Sequence, residues 1–350
     1  MNSVLTSSLD KIMNARYTNS DPGATVLVSV AGEVLYERSF GMANLETGQQ
    51  ITPQTTFRMA SVSKQFTAMC VALLEQQGKL SYEDKLLKYF SEFSPVGAEI
   101  TLRHLLTHTS GLQDYENFVE ETSEEQVTDE EVLQLVAPLT ENFFTPGTKY
   151  RYSNTGFVLL ALVVERVSDL PYADFLQQLI FQPLQMQSTS LYQKYKQITN
   201  RSMGYASGEA GFRFADQGTC TATMGDGCIY TSLQDYQKWH QALLIPGPFH
   251  VLPLLNKVYH TIEENNNWFY GMGWFFSKRA DGTNEMYQSG NTSGFSNLVI
   301  RIPENDVLVA YFSNIADNMH LYDEFLDVLQ QYPTLRLESE LVRELPRLTC

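Results

Sequence analysis

Residues with strong β preference sit in two places far apart in the chain, and this separation limits the architectures open to it. Ala24 to Val30 and Glu33 to Phe40 are β-rich runs broken by Ala31-Gly32, which reads as a hairpin. Strand-like runs return only at Trp268 to Phe276, Glu285 to Ser289, Ser296 to Ile302 and Val307 to Phe312. Between them the patterns are helical or loop-like, clearest at Thr101 to Leu106, Asp129 to Val136, Gly156 to Val167 and Ala173 to Ile180. A sheet drawn from both ends predicts one discontinuous α/β domain, residues 1–78 with 226–350, and an inserted, mainly helical domain, 79–225. The active site is expected in the cleft between them.

Gly156 to Val167 is apolar nearly all round, the mark of a helix inside a domain, so the middle portion is expected to have a core of its own. Helices are also expected at Gln234 to Leu244 and Asn318 to Gln331, the second ended by Pro333. Val62, Phe66, Met69, Cys70, Leu73 and Leu74 recur at helical spacing until Gly78, which puts Ser61 at a helix N-terminus.

Composition removes several function classes. A net charge of −16 repels phosphate backbones and anionic lipid surfaces, so neither nucleic acid nor membrane is an expected partner. The acidic stretch from Glu116 to Glu131 reads as a solvated helical face without chemistry. The longest apolar run, Phe157 to Val164, falls far short of the roughly 20 residues a membrane span needs. The N-terminal stretch lacks the pattern of a signal peptide, so a cytoplasmic protein is expected. Cys70, Cys220, Cys228 and Cys350 form no CxxC pair, and reduced thiols are expected, although the spacing of Cys220 and Cys228 would permit a bridge.

Three short elements can carry acyl-transfer chemistry. In Ser61-Val62-Ser63-Lys64 an amine lies three residues beyond a hydroxyl, on the same helical face, where it can take the serine proton. In Tyr152-Ser153-Asn154 a phenol beside an ammonium can relay a proton, and the amide can hold a substrate carbonyl. Read alone, that pair is equally a packed tyrosine with an asparagine cap. In Gln288-Ser289-Gly290-Asn291, at a strand end, the Asn291 N–H could join that of Ser61 in a two-donor oxyanion hole. Read alone, Gly290 is an edge-strand glycine.

These elements and the longer blocks around them resemble the serine β-lactamase-like superfamily, in particular its branch of class C β-lactamases, D-alanyl-D-alanine carboxypeptidases and esterases. The blocks include FRMASVSKQFTA, ITLRHLLTHTSGL, PGTKYRYSNTGFVLLALVVERVS, GDGCIYTSLQDYQKW, YGMGW and GFSNLVIRIPEND, and the likeness runs from about residue 24 to 315. It implies Ser61 as nucleophile, Lys64 and Tyr152 as base and proton relay, and Asn154 and Gln288 to Asn291 as substrate-binding. It also implies an antiparallel sheet flanked by helices with an inserted helical domain. The expected function is a serine hydrolase acting through an acyl-enzyme on an ester or amide of a small molecule or peptide. The rival reading is a receptor or scaffold of the same fold without turnover. No metal or cofactor is expected, and the oligomeric state is left open.

The chain departs from the superfamily at Gln288, where Lys or His is usual. A cation there helps hold a substrate carboxylate, and charge-assisted bonds are about twice as strong as neutral ones. A neutral ester or amide substrate, or one whose carboxylate is met elsewhere, therefore fits Gln288 better. His104 and His108 lie four apart but lack the glutamate of an HExxH site and a third ligand. No GxSxG elbow occurs. Gly225-Asp226-Gly227 and Gly271-Met272-Gly273 read as turns or close-approach points, and Tyr230, Trp274 and Phe295 as core or cleft lining.

Overall fold

The structure, a computed structural model, describes residues 2–93, 95–120 and 125–349. Eight antiparallel strands form the main sheet, in the spatial order His260–Glu263, Trp268–Gly271, Trp274–Lys278, Asn284–Thr292, Phe295–Ile302, Val307–Ser313, Ala24–Val30 and Glu33–Phe40. The two ends of the chain join where Ala24 to Val30 pair with Ser313 to Val307. The Ala31-Gly32 hairpin forms with both residues in the left-handed region, φ 51° and 78°, as a tight turn matched to strand twist requires.

The run expected as one strand from Trp268 to Phe276 is two. Met272 (φ 53°) and Gly273 (φ 79°) turn the chain back, so that Gly271 pairs with Trp274. A Cβ on Gly273 would sit 2.6 Å from the Gln65 nitrogen, so the turn lies flat against the start of the helix after Ser61. The closing helix is shorter than expected, Leu321–Leu329 after a 3-10 turn at Asn318–His320. Two further helices carried signals too short to read, Val251–Lys257 and Leu341–Leu348. The second contains Pro346 yet buries Leu341, Val342, Leu345 and Leu348 along one face. Ala173 to Ile180 is a short helix, Tyr172–Leu176, continued by a π turn at Gln177–Phe181.

The apolar middle helix is Asn154–Ser168, buried without a break from Thr155 to Val164. It packs on the helix Lys64–Gln76, whose Phe66 stacks on Trp239 at 4.5 Å. Buried apolar side chains form one connected cluster from Leu5 to Leu348. Tyr230, Trp274 and Phe295 are all within it or packed in it, with Tyr230 and Phe295 edge to face at 6.1 Å. Among the described residues, no helix is long and apolar enough to cross a membrane. Cys70, Cys220 and Cys228 are free thiols, and Cys350 lies outside the described residues.

Candidate active site

Ser61 lies in a 3-10 turn, Ala60–Ser63, that leads directly into the helix Lys64–Gln76. The turn is clamped from several sides. Before it, Phe57 and Arg58 pair with Thr231 and Tyr230. Within it, Ser63 Oγ accepts a hydrogen bond from the Ile229 N–H at 3.2 Å. Ala60 holds φ 47°, a left-handed conformation that costs an L-residue about 1–2 kcal/mol and persists because the surroundings impose it. Gly290 brings the strand Asn284–Thr292 against this turn, since a Cβ there would lie 2.2 Å from the Met59 carbonyl oxygen. Asn297 stitches the two together by donating to the carbonyls of Arg58 (2.9 Å) and Gly290 (3.2 Å).

Lys64 is fully buried, and its Nζ is held by three oxygens. It lies 3.0 Å from Ser61 Oγ, 2.7 Å from Asn154 Oδ1 and 3.1 Å from the Asp226 carbonyl. Two of these are acceptors only, so they consume two N–H groups and leave the third direction facing the serine hydroxyl. In a neutral amine that direction is the lone pair. Asn154 is the first residue of the buried helix, which explains its fixed position 90 residues away in sequence.

Tyr152 enters this arrangement by its ring. Lys64 Nζ sits 4.9 Å from the ring centroid, whereas the Tyr152 hydroxyl is buried and has no hydrogen-bond partner among the described residues. The direct phenol–amine hydrogen bond expected from sequence is therefore not formed. Phe275 stacks on Tyr152 with the planes 7° apart, and His108 packs at 4.2 Å. A cavity of about 790 Å³, lined by Tyr150, Arg151, Tyr152, His260 and Arg347 among others, opens beside Tyr152 and does not include Ser61.

Gln288 is buried and donates through Nε2 to the Ser61 carbonyl at 3.3 Å, leaving Oε1 without a partner among the described residues. Ser289 and Asn291 alternate to the opposite face of the strand, where Asn291 Nδ2 meets Met319 Sδ at 3.1 Å. The Asn291 backbone is placed differently. Thr292 and Phe295 close a two-residue turn, so in the alternating ladder the Asn291–Ser296 pair directs its N–H and C=O groups away from each other. Pairing on the other edge of this strand ends at Tyr287, leaving the Asn291 N–H free of the sheet.

Carboxylates surround the amine. Asp226 is buried, its Oδ2 accepting from Tyr115 Oη at 3.2 Å, and burial pushes its carboxyl up despite Lys64 nearby. Asp114 accepts the Asn154 backbone N–H at 2.5 Å. Glu116, in the 3-10 turn Tyr115–Phe118, accepts from Asn154 Nδ2 at 3.0 Å. Although Glu116 keeps an exposed edge, partial desolvation and repulsion from Asp114 and Asp226 push it up to about 7. The reading of Glu116 to Glu131 as a solvated face holds for Glu116, Glu120, Glu125, Glu130 and Glu131, which are exposed, and is corrected at Asp129 and in assigning Glu116 no contact with the site. Glu116 faces the site, and Asp129 is buried with Oδ2 accepting the Met224 N–H at 2.8 Å, while 121–124 lie outside the described residues. Asp226 had left a trace in sequence, as the centre of a Gly-Asp-Gly close approach, and Glu116 had none.

The two histidines serve other ends. His104 caps its own helix, its Nδ1 accepting from the Thr101 N–H, and His108 lies beyond that helix with Nδ1 accepting from the Ser153 N–H at 3.2 Å. Burial and the Lys64 charge hold His108 well below its usual range, so its ring is neutral.

The chain matches the Beta-lactamase family over residues 9–331. It is 31% identical over 307 residues to penicillin-binding protein 4* of Bacillus subtilis (strain 168), covering 83% of this chain and 67% of that protein. It is 26% identical over 314 residues to protein flp of Staphylococcus aureus (strain MRSA252), covering 84% of this chain and 60% of that protein. The chain therefore spans about three fifths to two thirds of the length of these two relatives. In fold it is similar to a penicillin-binding protein from Bacillus halodurans, with a TM-score of 0.79 at 24% identity over 93% of this chain and 99% of that one. It is likewise similar to the D-amino acid amidase of Ochrobactrum anthropi SV3, with a TM-score of 0.76 at 22% identity over 94% and 98%. With the fold and the matched span in agreement, the chain belongs to the beta-lactamase family, a family of serine hydrolases.

Proposed function

We propose that the chain hydrolyses an ester or amide in two steps through an acyl-enzyme on Ser61. The observation that carries this reading is the approach of Lys64 Nζ to Ser61 Oγ at 3.0 Å, with the other two amine contacts taken by acceptors. In the first step Lys64 takes the hydroxyl proton as Ser61 Oγ bonds to the substrate carbonyl carbon. The oxyanion rests on the N–H groups of Ser61 and Asn291. The tetrahedral intermediate collapses as the bond to the leaving group breaks, and the proton held by Lys64 passes to that group by way of Tyr152, whose hydroxyl, otherwise unspent, turns to the amine for the transfer. Water then adds to the acyl carbon, its proton returns through the same residues, and the acid is released with Ser61 restored. Asn154 holds the amine in place and offers its amide to the substrate.

The substrate we favour is one that needs no carboxylate clamp. Gln288 presents an uncharged amide where a cation would be required, and Asp114, Glu116 and Asp226 make the surroundings of Lys64 acidic. The name of one relative, penicillin-binding protein 4*, supports recognition of a compound with a reactive amide, and the amidase fold neighbour supports an amide as acyl donor. Rapid mixing with a p-nitrophenyl ester tests the two-step scheme. A burst of p-nitrophenol matching the amount of protein is the expected result, and release at the rate seen with Ser61→Ala contradicts it.

A further inference from the structure

Asn154 stands between two groups with opposite demands. Its amide oxygen accepts from Lys64 Nζ at 2.7 Å, and its amide nitrogen donates to Glu116 Oε1 at 3.0 Å. An amide can be turned by 180° at almost no steric cost, and in the turned state its NH₂ would face the donor Lys64. Lys64 alone selects the observed orientation only while its N–H groups point at Asn154. An ionised carboxylate on the far side, which can only accept, selects it whichever way the amine's N–H groups point.

We propose that Glu116 is a positioning residue of the candidate site, holding the Asn154 amide with its oxygen toward Lys64 so that the amine stays aimed at Ser61. This rests on the acyl-transfer reading above and adds a residue that the motif Tyr152-Ser153-Asn154 does not contain. Glu116 is suited to the task because its backbone is fixed. The Asp114 side chain caps the turn by accepting the Glu116 N–H at 3.2 Å and also holds the Asn154 N–H, which ties the turn to the helix start.

The arrangement is sensitive to pH. The charged or titratable groups that face Glu116 are Asp114 and Tyr115 beside it, Asp226, Lys64 and Cys220. Asp114 and Asp226 raise it, Lys64 and the Asn154 bond lower it, and desolvation raises it most, to about 7. As pH falls through that value the carboxylate gains a proton, its charge-assisted bond to Asn154 becomes a neutral one, and the carboxyl acquires a donor of its own.

Two measurements on the whole chain test this. In protein labelled with ¹⁵N-asparagine, the Asn154 side-chain amide, assigned by its loss in Asn154→Asp, should shift with a midpoint near pH 7 and stay flat in Glu116→Gln. The rate of Ser61 labelling by a fluorophosphonate should fall about two- to tenfold from pH 8 to 6, the worth of one hydrogen bond. In Glu116→Gln, whose amide oxygen accepts without charge, that step should vanish, and Glu116→Ala should be slower at every pH. An Asn154 resonance that ignores pH around 7, or a labelling step unchanged in Glu116→Gln, overturns the assignment. If nothing is labelled at any pH, the acyl-transfer reading fails, while the amide titration still decides the Glu116–Asn154 contact.

Discussion

Lys64 Nζ meets the Asn154 amide oxygen at 2.7 Å, although 90 positions separate the two residues in sequence. This contact joins the helix that follows the serine to the helix buried in the middle of the molecule. It also spends one of the amine's N–H groups away from Ser61, so that the amine direction left over points at the hydroxyl.

Replacing the amine while keeping its bulk isolates that role. Lys64→Met should fold and lower the rate of Ser61 acylation by about 10²–10⁴-fold, the range for a lost general base. Stopped-flow release of p-nitrophenol measures it. A loss under about threefold would assign the proton to another group.

Gln288→Lys restores the cation that the site lacks. For a matched pair of esters, one neutral and one bearing a carboxylate on the acyl part, KM for the charged member should drop about tenfold relative to the neutral one. Equal changes for both esters would mean that Gln288 does not read substrate charge.

Gly290 is required by packing. Gly290→Ala would drive a methyl into the Met59 carbonyl, 2.2 Å from the new Cβ, and should cost about 1–3 kcal/mol, read as a lowered midpoint in urea. Unchanged stability would show that the serine turn yields easily, against the clamped turn described above.

A second buried histidine gives a pH signature in stability. His240 is fully buried, bonded to Arg301 Nε at 2.9 Å and to Asp306 Oδ1 at 3.0 Å, and held well below its usual range by desolvation and by the Arg301 charge. The unfolded histidine takes a proton near pH 6.5 and the folded one does not, so this contribution is present above that pH and lost below it. The advantage of wild type over His240→Gln should shrink by about 1.4 kcal/mol per pH unit between pH 6 and 5. Denaturant melts at several pH values measure it, and a constant difference would mean that His240 charges in the folded state.

Much of this architecture was legible because local signals agreed with tertiary ones. Ala31-Gly32 is a hairpin by composition and by φ, and Gly156 to Val167 is apolar nearly all round because the helix is buried without a break up to Val164. The juxtaposition of Ser61 and Lys64 followed from helical spacing alone. The misses share a cause. The Trp268 to Phe276 run looks continuous because Met272 is apolar, although Gly271-Met272-Gly273 inside it also reads as a turn, and the φ of 53° at Met272 and 79° at Gly273 shows that the turn wins. Glu116 sits in an acidic stretch, and nothing local distinguishes a carboxylate aimed at Asn154 from one aimed at water. The Tyr152 hydroxyl was expected on Lys64, but the ring packing of Phe275 and His108 decides where that hydroxyl points.

The nucleophile is tested most directly by intact mass after exposure to a fluorophosphonate and to a labelled penicillin, with Ser61→Ala run in parallel. The account predicts a single stoichiometric adduct with the fluorophosphonate in wild type, mapped to Ser61, a slower one or none with penicillin, and neither in Ser61→Ala. An adduct of equal size on Ser61→Ala, or no adduct on wild type with either reagent, would contradict it.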